Sequence, residues 1–205
     1  MEFSALVEQR RSVKNYDSSA TISDDQLKSL FAAVVKSPSS FNLQHWGFVV
    51  SRDQTLKESL QGAAWGQPQV AACSAVVVVC GKLDAYQDVA QIFAGAPDEV
   101  IQKVDGVCQQ IYGNNEQAQR DEAIRGSTLA AMSLMYAAKD QGLDSGPMIG
   151  FDPNAVAEIL DIPSNYIPTM MIVLGTGADE ELPPQSRKPL DEVVKLEKFS
   201  GNGLS

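Results

Sequence analysis

With 205 residues, 44% hydrophobic and 20% charged, the chain has a globular composition, long enough for one sizeable core and short for two. Its 16 basic and 26 acidic side chains leave a formal charge of -10, the wrong sign for a polyanionic partner, so no nucleic-acid binding is expected. Three cysteines without Cys-x-x-Cys spacing and a single histidine, His45, argue against a disulfide framework, a histidine-based metal site or Ser-His-Asp catalysis.

Residues 3–11 read as a short helix with Phe3, Leu6 and Val7 on one face, and Arg10 and Arg11 at its carbonyl-rich end. Ser23-Asp24-Asp25-Gln26 is a capping box that opens a second helix, with Leu27, Leu30, Phe31 and Val34 at helical spacing. That helix ends at Ser37-Pro38, because the residue before a proline is pushed out of the helical region. Gly47–Ser51 reads as a strand, residues 53–64 as a helix, and Ser74–Cys80 as a β-branched strand buried on both faces. Helices follow over 84–94 and 97–112, the second with Asp98 and Glu99 in its first turn. Residues 117–141 form the longest helical candidate, and its Met132, Met135 and Tyr136 read as core. Asp152-Pro153 supplies a cap and first residue for another helix, and Pro168–Gly175 a last central strand.

No linker or repeat divides the chain, so a single α+β domain over 1–205 is expected, with a small sheet flanked by helices. Its tail, 178–205, is polar and poor in core residues. The amino terminus lacks a signal-peptide pattern, and no apolar stretch reaches the ~18 residues of a membrane span. A cytoplasmic protein without membrane association is the expectation.

Between the second helix and the first strand lies Ser37-Pro38-Ser39-Ser40-Phe41-Asn42-Leu43-Gln44-His45-Trp46. Its small hydrogen-bonding groups beside a flat aromatic suit a planar polar ligand. The same residues also suit a surface loop closed by its own serines.

Three segments, in order, carry a resemblance. Arg10-Arg11-Ser12-Val13-Lys14 follows the first helix, Ser37–Trp46 the second, and Pro147-Met148-Ile149-Gly150-Phe151 precedes a capped helix. Together they resemble the FMN-dependent nitroreductase family over residue 2 to about 190.

The resemblance implies a three-layer fold with a small mixed sheet and a C-terminal tail that embraces a second subunit. It implies a homodimer with FMN at the subunit interface. Hydride would pass from NADH or NADPH to the flavin, then to a nitroaromatic, quinone or similar small-molecule acceptor, by a ping-pong mechanism. Arg10, Arg11 and Ser12, with Arg187 of the tail, would hold the FMN phosphate, to which arginine is well matched. Lys14 would lie at the N1/O2 edge of the ring, where a cation favours the reduced flavin. Pro38, Ser39, Ser40, Asn42 and Gln44 would reach the cofactor from the other subunit. Gln69 would face the pyrimidine edge, and Pro147, Met148, Ile149 and Gly150 would bring backbone to N5.

Three positions depart from the pattern of many relatives. Gln69 stands where they carry a lysine, Ile149 where a glutamate is frequent, and Gln185 where some have a basic residue. Each change removes charge from the site. A flavin reductase or other specialised reductase on the same scaffold, or a non-catalytic flavin-binding or regulatory protein, would share all the remaining features.

Overall fold

The computed structural model describes residues 1–178 and 183–204; positions 179–182 and 205 of the expected tail lie outside the described residues. Helix α1 spans Phe3–Gln9, shorter than expected because Arg10 already takes an extended conformation, φ -61° and ψ 124°. The capping box forms. Gln26 N–H donates to Ser23 Oγ at 3.2 Å, Ser23 N–H donates to the Gln26 side chain at 3.0 Å, and α2 runs over Asp24–Val34.

After a 3₁₀ turn at Ser40–Asn42 come β1, Trp46–Ser51, and α3, Gln54–Ala63, whose first turn is capped by Asp53. Short α4, Pro68–Ala72, leads into β2, Ala75–Lys82. The helix expected over 84–94 is broken into a 3₁₀ turn, Ala85–Asp88, and a four-residue α5, Val89–Ile92. Polar ties at the break account for this: Lys82 pairs with Asp84 and Asp88, and Asn165 Nδ2 donates to both oxygens of Asp84. Next come α6, Asp98–Tyr112, and α7, Glu116–Asp140, the 25-residue helix that crosses the fold. Strand β3, Asp144–Met148, α8, Pro153–Ile159, β4, Tyr166–Gly175, and α9, Leu190–Val193, complete the described elements.

The strand order is β1-β2-β4-β3, and every strand pair is antiparallel. The mixed sheet implied by the resemblance is therefore corrected. Among the described residues its parallel component shrinks to one isolated bridge, Ser12 to Ser145, at the outer side of β3. The α3–α4 connection leaves and re-enters the sheet at one end, where Ser51 faces Val76, and so β2 runs back along β1.

Alternation along the central strands sends side chains to two layers. Ala75, Val77, Val79, Ile172 and Leu174 pack on Leu30 and Val34 of α2 and Ala130, Ala131 and Leu134 of α7. Val76, Val78, Met171 and Val173 pack on Leu60 of α3 and Val156 of α8. The result is helix, sheet, helix. Met135 is buried and Met132 packs against the first cluster, as core residues.

All three cysteines are free and buried, and burial pushes the Cys73 and Cys80 thiols up to about 11, which leaves them unreactive near neutrality. Among the described residues no helix is long and apolar enough to cross a membrane, and no group of three His, Cys, Asp or Glu side chains could hold a metal.

Candidate functional site

The chain from Arg11 to Tyr16 lies extended beside β3. Val13 N–H donates to the Ser145 carbonyl at 3.0 Å, and the Tyr16 hydroxyl donates to the Val13 carbonyl at 3.3 Å. Val13 is buried between exposed Ser12 and Lys14, so those two polar side chains share one outward face. The arginines divide. Arg11 folds back on the end of α1 and donates to the Glu8 and Arg10 carbonyls, where a cation complements the helix terminus. Among the described residues the Arg10 guanidinium, the Ser12 hydroxyl and the Lys14 ammonium have no hydrogen-bond or ion-pair partner.

Strand β3 carries the chain roughly 10 Å from Ser145 to Met148, at about 3.3 Å per residue, and Gly150 follows two residues on. Gly150 is the middle residue of a tight turn closed by Phe151 N–H to the Ile149 carbonyl at 3.0 Å. Gln67 Nε2 donates to the Gly150 carbonyl at 2.7 Å, and Gln69 Nε2 donates to Gln67 Oε1 at 2.9 Å. Gln69, read from the sequence as a ring contact, is thus buried and spends an amide proton on Gln67. Trp65 and Ile149, 71% and 76% exposed, flank Gly150. Neither Trp65 nor Gln67 was assigned a role from sequence. No local pattern announces them: Trp65 sits at φ 55° before Gly66 at φ 77°, a left-handed pair that a large aromatic seldom occupies.

The 37–46 loop is anchored from beneath. Ser37 Oγ lies 2.7 Å from both the Val34 carbonyl and Ser133 Oγ, with one proton to share between them, and Ser39 Oγ accepts from Gln44 N–H at 2.9 Å. Ser40 Oγ is 3.0 Å from the Tyr112 hydroxyl, and Leu43 packs with Tyr86, Val89, Cys108 and Tyr112. The serines therefore do close the loop. What they leave outward are Pro38, Phe41, Asn42 and Gln44, and the last three have φ of 49°, 55° and 51°. Three left-handed non-glycine residues within four positions carry backbone strain that buried anchors must hold. A cavity of about 480 Å³ opens at this side, lined in part by Gln44, Lys82, Asp88 and Tyr166.

Tyr112 was missed in the sequence as a loop anchor. Its ring also meets His45 edge-on at 6.3 Å. His45 itself is 2% exposed, its Nδ1 has no partner, and its pKa is pushed down to about 4, chiefly by burial and then by Arg125.

Within one chain the predicted residues form two sets. Arg10 to Lys14, Gln69 and Pro147 to Gly150 gather on the β3 side of the sheet, whereas Pro38 to Gln44 precede β1, the opposite edge strand. Three strand spacings of ~4.8 Å, about 14 Å, separate those edges. Arg187 joins neither set; it is exposed and, among the described residues, donates only to the Gln185 and Ser186 carbonyls of its own tail.

Known proteins share this arrangement of elements. MhqN of Bacillus subtilis strain 168, provisionally named an NAD(P)H nitroreductase, is 43% identical over 202 residues, covering 95% of this chain and 98% of that protein. The crystal structure of Bacillus subtilis ydfN, provisionally named a nitroreductase, superposes with a TM-score of 0.90 at 40% identity, over 94% of this chain and 97% of that one. A provisionally named nitroreductase from Exiguobacterium sibiricum 255-15, solved in complex with FMN, superposes with a TM-score of 0.88 at 29% identity, over 96% and 98% of the two chains. The model of the nitroreductase family matches residues 7–176, from within α1 to just beyond β4. The chain belongs to the nitroreductase family, a family of oxidoreductases.

Proposed function

We propose that the protein binds FMN as a homodimer and passes electrons from NADH or NADPH to a planar small-molecule acceptor such as a quinone or nitroaromatic, in ping-pong alternation. The observation that carries this reading is the line of unpartnered polar groups along β3. At one end stand the Arg10 guanidinium and the Ser12 hydroxyl, with Lys14 on the same face as Ser12. At the other the Gly150 N–H has no acceptor among the described residues. Cations and a hydroxyl suit a phosphate; a backbone donor beside an exposed indole suits a ring nitrogen. When bound, FMN supplies the two-electron chemistry that no side chain here offers. Lys14, with its ammonium free, would favour the more negative reduced cofactor.

The residues fit FMN only as halves. The outward face of the 37–46 loop, Asn42 and Gln44 included, is at the other sheet edge, and a second copy of the chain would bring it across. The tail supports the same assembly. Its α9 and the following turn, closed by the Lys195–Gly203 bridge, leave Leu190, Val193, Leu196 and Phe199 between 46% and 96% exposed. Apolar surface of that kind fits a subunit interface. In a dimer Arg187 would travel with the tail to the phosphate end of the neighbouring site.

Titrating apo-protein with FMN and riboflavin tests the cofactor reading. FMN should bind at least tenfold more tightly, and Arg10→Ala should erase most of that difference, since a charge-assisted hydrogen bond contributes about 1.5–3 kcal/mol. Equal affinity of the unaltered protein for both ligands would remove the phosphate assignment. Sedimentation at micromolar concentration checks the assembly: a single dimer is expected, and removing residues 183–204 should give a monomer without FMN. A monomer that retains FMN would sink the two-edge site.

A further inference from the structure

We propose that Gln67, with Gln69 behind it, is the positioning residue of the Gly150 peptide, and that it turns the Gly150 N–H into a fixed donor for the flavin ring. This rests on the FMN reading and names the residues that build its ring-facing donor.

Gln67 occupies the cap position of α4, yet its side chain caps nothing. It reaches instead across 83 residues of sequence to the Gly150 carbonyl, at 2.7 Å. A second tie runs alongside, Asp152 N–H to the Ala63 carbonyl at 2.9 Å, so the 149–152 turn is stapled both to the last residue of α3 and to the cap of α4. Gly150 allows the approach. A Cβ there would lie 3.0 Å from Gln67 Nε2 and 3.4 Å from the Trp65 ring.

The direction of the relay follows from chemistry. Gln69 is 8% exposed and points its NH₂ at Gln67 Oε1. Were the Gln67 amide reversed, its oxygen would face the Gly150 carbonyl oxygen and its NH₂ would face that of Gln69. Both contacts would be repulsive, so a donor at position 69 dictates a donor toward Gly150.

In a three-residue turn the middle residue keeps two outward groups, its N–H and its C=O, because the flanking C=O and N–H close the turn. Gln67 takes the C=O. The N–H remains, in the Ile149–Gly150 peptide plane, which the Phe151 N–H to Ile149 carbonyl bond ties to the Gly150–Phe151 plane that Gln67 holds, and it has no protein acceptor among the described residues. A pre-oriented donor of this kind need not reorganise when an acceptor nitrogen arrives.

Hydrogen exchange of the Gly150 amide in ¹⁵N-glycine-labelled protein tests this, with the resonance assigned through Gly150→Ala. FMN binding is followed separately by ultrafiltration and visible absorbance. In the unaltered protein FMN should slow Gly150 exchange at least tenfold. In Gln67→Leu and Gln69→Leu the slowing should fall below threefold while FMN remains bound. Gln69→Lys, which still donates to Gln67, should keep the slowing, whereas Gln69→Glu should lose it. If Gln67→Leu does not fold, the contrast between Lys and Leu at position 69 decides. FMN that binds without protecting Gly150, or protection that survives loss of the donor, would overturn the proposal. Failure of FMN to bind the unaltered protein would instead overturn the reading beneath it.

Discussion

Gly146→Ala should unseat the amino-terminal arm from the sheet. A Cβ at Gly146 would lie 2.5 Å from the Val13 carbonyl oxygen, 2.8 Å from Val173 Cγ2 and 3.2 Å from the Tyr16 hydroxyl. The first of these is backbone and cannot move aside by changing rotamer. Either β3 retreats or residues 12–16 do, and the Val13 to Ser145 hydrogen bond goes with them. Overpacking costs roughly 1–3 kcal/mol and the lost bond about 1 more. Urea denaturation should therefore show a loss of about 2–4 kcal/mol. Because Ser12 and Lys14 ride on the same segment, FMN affinity should fall at least tenfold beyond what stability explains. Gly106→Ala is the matched control. Nothing lies within 4 Å of a Cβ there, and it sits inside α6, so alanine should stabilise by up to about 1 kcal/mol. A Gly146→Ala protein of unchanged stability and FMN affinity would show that the arm is not held at this contact.

The arm's dependence on Gly146 shows what sequence reasoning can and cannot reach. Helix α2 was legible because its capping box is a local signal, complete within four residues. Strand β2 was legible because a β-branched run buried on both faces has few other uses. Strand β3 was not. Asp-Ser-Gly-Pro-Met lacks alternation and holds a proline, and it is a strand only because β3 is an edge where Pro147 needs no partner for its missing N–H. The site was half legible for a similar reason. Residue types announced phosphate and ring chemistry, but strand order alone reveals that Ser12 and Gln44 lie at opposite edges, and no local pattern encodes strand order. The Gln67–Gly150 bond joins residues far apart in sequence, each of which reads locally as turn chemistry.

His45 is the other place where burial, rather than residue type, decides the outcome. The unfolded imidazole titrates near 6.5, whereas in the fold burial, helped by Arg125 and opposed by Asp88, pushes it down to about 4. Between those two values the unfolded chain binds a proton that the folded chain refuses, so stability rises with pH through that window. Its contribution is complete above about 6.5 and is lost as pH falls to about 4, a total of about 3 kcal/mol. His45→Phe should remove this slope while keeping the edge-on contact with Tyr112. It should also raise stability at neutral pH by about 1 kcal/mol, since the partnerless Nδ1 is gone. The consequence reaches the site through the backbone, because the His45 carbonyl accepts from Lys82 N–H at 3.1 Å and His45 directly follows Gln44 in the chain. Protonation that expels the ring should loosen the loop first. Acidification from pH 7 to pH 5 should then release FMN from the unaltered protein more readily than from His45→Phe, read by the fluorescence of free flavin beside urea melts at each pH. Parallel stability curves for the two proteins across that range would show that His45 does not set the acid limit of the fold.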